Sequence, residues 1–238
     1  MTDKILLVDD EILLLNSLQR ELSTQYNIDV AESGFEGLEK ISSSGPYAVI
    51  VSDFRMPKMD GIKFLTQAMD LAPNTVRMIL TGNADLPTAM DAINKGQIFR
   101  FLSKPCSGKL LTQSLNAGLR QYQLIMSEKE LLENTLKESI SMLTEVLAIV
   151  NPKAYGRSLR TQQLVAHIVK ELKINNGWQY EMAAALSQLG WITFSQQMLD
   201  KIEDNQMFNA PEAVIFSNHP FAASKLLKTY PALSWLRK

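Results

Sequence analysis

The chain is poor in the residues that extracellular and metal-hydrolytic proteins depend on. One cysteine, Cys106, in 238 residues excludes an internal disulfide framework and fits a reducing cytosol. Two histidines, His167 and His219, are few for a two-metal hydrolytic centre, which needs several imidazole and carboxylate ligands. Neither sign of charge prevails. Lys and Arg number 24 against 25 Asp and Glu, a formal net charge of −1, so nothing draws the chain generally to nucleic acid or anionic lipid. No apolar run approaches the roughly 20 residues of a membrane-spanning helix, and the opening MTDKILLVDD lacks a signal-peptide pattern. A cytoplasmic protein with no membrane partner is expected. Phosphate-binding GxxxxGK[ST] and GxGxxG loops, paired-cysteine metal motifs and a GxSxG elbow are also missing. What remains is 46% hydrophobic and 21% charged, enough apolar material for one large core or two small ones.

The first 105 residues alternate between two kinds of segment. Short apolar runs occur at Lys4–Val8, Ile28–Ala31, Tyr47–Ser52, Thr75–Leu80 and Ile98–Leu102. Helical spacing fills the gaps: Leu13, Leu14, Leu18 and Leu22; Phe35, Leu38 and Ile41; Ile62, Leu65 and Met69; Ala89 and Ile93. This alternation predicts an α/β fold, a doubly wound five-stranded parallel sheet whose strands are apolar throughout because helices cover both faces. From Lys109 one long helix is expected, with Leu115, Leu119, Tyr122 and Met126 continued by Leu132, Leu136, Ile140, Leu143, Leu147 and Val150. Steps of three and four residues give the period of a coiled-coil seam, and Asn151-Pro152 ends the run. The remainder reads as all-helical, with Leu164, Val165, Ile168, Val169 and Leu172 forming one stripe. The expected domains are 1–120, a helical connector 121–151 and a small all-α domain 152–238.

In an open parallel sheet, ligands sit beyond the carboxyl ends of the strands. Here those ends carry Asp9 and Asp10, then Asp53, then Thr81, then Lys104. Three neighbouring carboxylates repel one another unless a cation neutralises them, and hard oxygen donors select Mg²⁺. A hydroxyl and an ammonium beside that ion are what the equatorial oxygens of a phosphoryl group require. Asp53 is then a nucleophile able to carry an acyl phosphate.

With these residues in place, "LLVDDE", "VSDFRMPKMDG", "LTG" and "FLSKP" closely resemble the flavodoxin-like receiver domain of two-component response regulators, over about the first 120 residues. The resemblance implies Asp53 as phosphoacceptor, with Asp10, Asp53 and the backbone carbonyl of Arg55 on Mg²⁺ and Asp9 holding it through water. It implies that Thr81 and Lys104 contact the phosphoryl oxygens, that Phe101 is an aromatic switch coupled to Thr81, and that Lys104–Pro105 is a candidate cis peptide. A sensor histidine kinase is the implied phosphodonor.

The second half resembles HD-type domains, in particular the HD-GYP cyclic di-GMP phosphodiesterases, on "YGRSLRTQQLVAHIV", "AAALSQLGWITF" and "SNHPFAASKLL". It departs from them where the chemistry lies. Arg157 stands in a metal-histidine position, Ser187-Gln188 replaces the His-Asp pair, and Trp191 replaces a lysine, while Gly190 and His219-Pro220 are kept. Serine and glutamine are neutral, weak ligands. The expectation is therefore a pseudo-enzyme, a response regulator whose connector pairs two copies and whose helical half binds an unknown downstream protein. The competing readings are a cyclic di-GMP phosphodiesterase and a DNA-binding transcriptional regulator. The latter needs a basic recognition helix, and Lys225 with Lys228 or Arg157 with Arg160 is a modest one, so nucleic acid is not expected as a partner.

Overall fold

The computed structural model describes residues 3–82 and 98–227. Two compact units divide the chain, residues 1–130 and 131–238.

The first unit is built on β1 (Lys4–Val8), β2 (Asn27–Ala31), β3 (Val49–Asp53), β4 (Val76–Gly82) and β5 (Arg100–Lys104), all parallel, in the order β2-β1-β3-β4-β5. Between them lie α1 (Ile12–Leu22), α2 (Gly34–Ser44) and α3 (Gly61–Leu71). The helix expected around Ala89 and Ile93 falls outside the described residues. Successive strand residues point to opposite faces. Ile5 and Leu7 join the core under α1, with Leu15, Leu22, Met78 and Leu115, whereas Leu6 and Val8 join the core under α2 and α3, with Ile41, Phe64 and Leu65. The sheet is thus wound on both sides, as the apolar strands require.

Several bounds differ from the sequence reading: β3 runs to Asp53, and β4 spans Val76–Gly82, so Thr81 lies within it. β5 begins at Arg100 and not at Ile98, because Met78 opposite Arg100 opens the β4 register. Leu13, placed on the α1 stripe above, is 83% exposed, and Leu15 is buried in its stead. Leu15, Leu18 and Leu22 follow an i, i+3, i+7 spacing, which puts Leu13 on the far side of the helix.

A helix of 43 residues, α4 (Gly108–Val150), starts in the first unit and ends in the second. Asn151 stops it and caps the next helix, its side chain accepting from Ala154 N at 3.0 Å while Pro152 takes the first turn. The second unit continues with α5 (Pro152–Glu171), α6 (Trp178–Leu186), a 3₁₀ turn (Leu189–Thr193), α7 (Gln196–Glu203) and α8 (Ala210–Leu227). Asn209 and Glu212 form a reciprocal capping box at the start of α8, Glu212 N to Asn209 Oδ1 at 2.9 Å and Asn209 N to Glu212 Oε2 at 2.8 Å. Within this unit Ile140 packs with Leu186 and Ala223, and Leu147 with Trp191, Phe194 and Met198. Leu164, Ile168 and Leu172, members of the stripe given above, are exposed along α5 and its C-cap.

Candidate functional site

β1 and β3 are neighbours in the sheet, but their crossovers run to opposite sides, β1 towards β2 and β3 towards β4. That reversal leaves a crevice at their carboxyl ends, where such folds take ligands. Asp53 closes β3, and Asp9 and Asp10 follow β1 directly. Carboxylate oxygens of all three lie within 4.8 Å of one another, with Asp9 and Asp53 buried and Asp10 exposed. Lys104, at the end of β5, reaches across the sheet edge and places Nζ 2.7 Å from Asp9 Oδ2 and 2.7 Å from Asp53 Oδ1. Residues remote in the chain therefore share one cluster.

Backbone donors hold the carboxylates in place. Asp9 Oδ1 accepts from Glu11 N at 3.0 Å and Asp53 Oδ2 from Arg55 N at 3.1 Å. Burial pushes the Asp53 carboxyl above its ordinary value; Lys104 opposes this most, the Asp9 carboxylate adds to it, and the Arg55 N–H opposes it further. For Lys104, burial works to lower the ammonium, but the hydrogen bonds and charges of Asp53 and Asp9 outweigh it and hold the group raised. The site thus stores negative charge at some cost, and a small cation would relieve it.

Thr81 lies on β4 just past Leu80, the residue paired with Asp53, and is buried, its hydroxyl donating to the Gly82 carbonyl at 3.3 Å. Phe101 is half-buried against the core beneath α2 and α3. The Lys104–Pro105 peptide is cis, as is Gly45–Pro46. Cys106 packs against the α1 side of the core, and burial pushes its thiol up, towards the unreactive protonated form.

The motif position that sequence reasoning passed over is Gly61. Asp60 caps α3 by accepting from Lys63 N at 2.8 Å, and the next residue lies under the Asp53 backbone. A Cβ on Gly61 would stand 2.0 Å from the Asp53 carbonyl oxygen. The glycine of "MDG" is therefore a clearance for the strand end that carries Asp53.

Residues 5–116 match the response regulator receiver domain family and residues 141–237 match an HD domain family. The chain carries a response regulator receiver domain followed by an HD domain. Its receiver is similar to a solved structure described as adenylate cyclase from Rhodopirellula baltica, with 47% identity and a TM-score of 0.54 over 56% of this chain and 98% of that one. Among curated relatives it is 35% identical over 118 residues to the transcriptional regulatory protein GlrR of Escherichia coli, which is 49% of this chain and 26% of that protein. It is 29% identical over 165 residues to the C4-dicarboxylate transport transcriptional regulatory protein DctD of Rhizobium meliloti, which is 69% of this chain and 34% of that protein. The chain thus spans about a quarter to a third of the length of these relatives. No helix among the described residues is long and apolar enough to cross a membrane.

In the HD half, the positions kept and lost have local explanations. Pro220 has no N–H to give the Phe216 carbonyl one turn back, and His219 Nδ1 takes that carbonyl instead. The imidazole sits among Trp191, Phe194 and Phe216, with ring centroids 5.4–6.3 Å away. A Cβ on Gly190 would lie 2.0 Å from the His219 carbonyl oxygen, so Gly190 lets the 3₁₀ turn meet α8 backbone to backbone. Gly190→Ala is expected to destabilise the second unit by an amount at or above the upper end of the roughly 1–3 kcal/mol typical of overpacking, read as a lower denaturant midpoint. Ser158 is buried and donates to the Ala185 carbonyl, joining α5 to α6. Gln188 donates to Ser187 Oγ at 3.2 Å, and His167 is exposed on α5. Among the described residues, the three-aspartate cluster is the one group of three or more His, Cys, Asp or Glu close enough to hold a metal.

Proposed function

We infer that this response regulator carries one step of a cytoplasmic phosphorelay, with Asp53 as the phosphoacceptor. The observation that carries the reading is the shared position of Lys104 Nζ, 2.7 Å from both Asp9 and Asp53 beside three carboxylates within 4.8 Å. Asp9, Asp10, Asp53 and the Arg55 carbonyl are the groups that would hold Mg²⁺, which supplies charge neutralisation as the phosphoryl group moves. An Asp53 oxygen attacks phosphorus, the P–N bond of a kinase phosphohistidine breaks, and the imidazole nitrogen leaves with that electron pair and takes a proton from solvent. Thr81 and Lys104 then donate to the new phosphoryl oxygens, and Phe101 follows Thr81 as the switch. A small acyl phosphate donor should label the intact chain with Mg²⁺ present and fail in excess chelator. Equal labelling in both would remove the metal from the reading.

The HD half receives this signal without hydrolysing a substrate. That reading is supported by Ser187-Gln188 at the His-Asp position and by the engagement of His219 Nδ1 with the Phe216 carbonyl. Such an output works by binding, through an as yet unidentified downstream protein.

Pairing of two copies along α4 also belongs to this reading, but along a different seam from the one the sequence stripe suggested. Leu136, Ile140 and Leu147 pack within the second unit. Leu131, Met142 and Ile149, spaced by 11 and 7 residues, return to one face of α4 within the second unit and are 67%, 67% and 82% exposed. Glutamate at both Leu131 and Met142, four anchors in a dimer, should weaken self-association by roughly a thousandfold or more, taking each anchor as at least about 1 kcal/mol. Light scattering over a dilution series measures this, and an unchanged dimer would place the seam elsewhere.

A further inference from the structure

The second unit contains a concavity of about 350 Å³ where the first turns of α5 meet the 3₁₀ turn and α7. Lys153, Gly156, Arg157 and Arg160 line it from α5, Trp191 from the 3₁₀ turn and Glu203 from α7. Four observations bear on what it takes. First, its charge is unbalanced. Three cations face one carboxylate, and that carboxylate, Glu203, is paired with Lys153, so no carboxylate among the described residues answers either guanidinium. Second, the Arg157 guanidinium lies 5.1 Å from the centroid of the Trp191 ring, a stack that holds its planar fork in one orientation. Third, Trp191 is only 3% exposed, so the ring on which the guanidinium stacks is held in one place. Fourth, Gly156 leaves open floor, since a Cβ there would meet nothing nearer than Arg160 Nη1 at 3.7 Å.

We propose that this concavity binds a small phosphate monoester of about mononucleotide size. Two guanidinium forks carry enough N–H donors for the three terminal oxygens of a phosphate dianion, where a carboxylate has only two. The volume lies near the lower end of the roughly 300–1,000 Å³ of small-molecule pockets, room for one mononucleotide and not for a cyclic dinucleotide. Arg157 and Trp191 are also two of the positions at which the chain leaves the HD-type pattern. The guanidiniums take the place of metal ions in neutralising phosphate, so the ligand is held and not cleaved. Nothing in this depends on Asp53, so the two readings stand or fall separately.

The test is calorimetric titration of the full chain with adenosine 5′-monophosphate, inorganic phosphate, adenosine and acetate, beside Arg157→Ala and Gly156→Leu. Arg157 and Gly156 lie on the pocket side of α5, and both replacements favour helix. The nucleotide is expected to bind saturably in roughly the millimolar range or tighter. Arg157→Ala should weaken it about tenfold or more, and Gly156→Leu should abolish it with the melting temperature unchanged or raised. Inorganic phosphate binding as well as the nucleotide would identify the phosphate group alone as the recognised element, and a nucleotide preference would identify the nucleoside as well. Saturable binding by adenosine or acetate at the nucleotide's level overturns the proposal. So does a nucleotide affinity that neither substitution changes, or no saturable binding by either phosphate.

Discussion

Asparagine in place of Asp53 should lower phosphoryl labelling of the receiver by at least about a hundredfold while leaving the fold intact, because a neutral amide does not attack phosphorus as a carboxylate does. The stability side of the expectation comes from the same geometry. Burial and the Asp9 carboxylate disfavour charge on Asp53, and Lys104 keeps Asp9 as a partner when Asp53 is neutralised. The variant should therefore melt no lower than the parent. Mg²⁺ at a hundred times its dissociation constant should stabilise the parent by about 2.7 kcal/mol and the variant by less, since one ligand has gone. Transfer from a phosphorylated histidine kinase, read as radiolabel, and thermal melts with and without Mg²⁺ check both halves. Undiminished label on the variant would remove Asp53 as the acceptor.

Gly61→Ala should be the most damaging single methyl that can be added near the receiver site. The new Cβ would lie 2.0 Å from the Asp53 carbonyl oxygen and 3.0 Å from the Asp53 carbonyl carbon. Neither atom belongs to a flexible side chain, so either α3 or the end of β3 must move. The cost should reach or pass the upper end of the roughly 1–3 kcal/mol typical of overpacking. Labelling at Asp53 should fall too, because Asp53 Oδ2 is held by the Arg55 N–H in the segment between β3 and α3. Gly156→Ala is the matched control. It adds a methyl to a helix whose surroundings are open to 3.7 Å and should be neutral or stabilising by up to about 1 kcal/mol. A Gly61→Ala protein as stable and as readily labelled as its parent would mean that the strand end is not packed against the start of α3.

The strands were legible because burial on both faces demands uninterrupted apolar runs, a pattern few other elements produce. The polar residues at their ends were legible for a related reason: a charge that closes an apolar strand needs an explanation, and several such charges on one sheet edge share it. Helix faces were read less well. Leu13 and Leu15 are equally apolar, and only the direction in which α1 meets the sheet selects Leu15. On α4 the continuous stripe looked like a seam for a second copy, yet Leu136, Ile140 and Leu147 are used inside the second unit. The stripe left exposed is interrupted by polar residues, which hid its period.

The sequence by itself determined the winding of the receiver and which side chains gather at its carboxyl edge, since both follow from the order of elements along the chain. Only the tertiary structure decided that Lys104 Nζ lies 2.7 Å from two carboxylates, that Gly61 is a clearance and that Arg157 stacks on Trp191. Contacts between segments far apart in the chain depend on how surfaces interlock, and no local period encodes them.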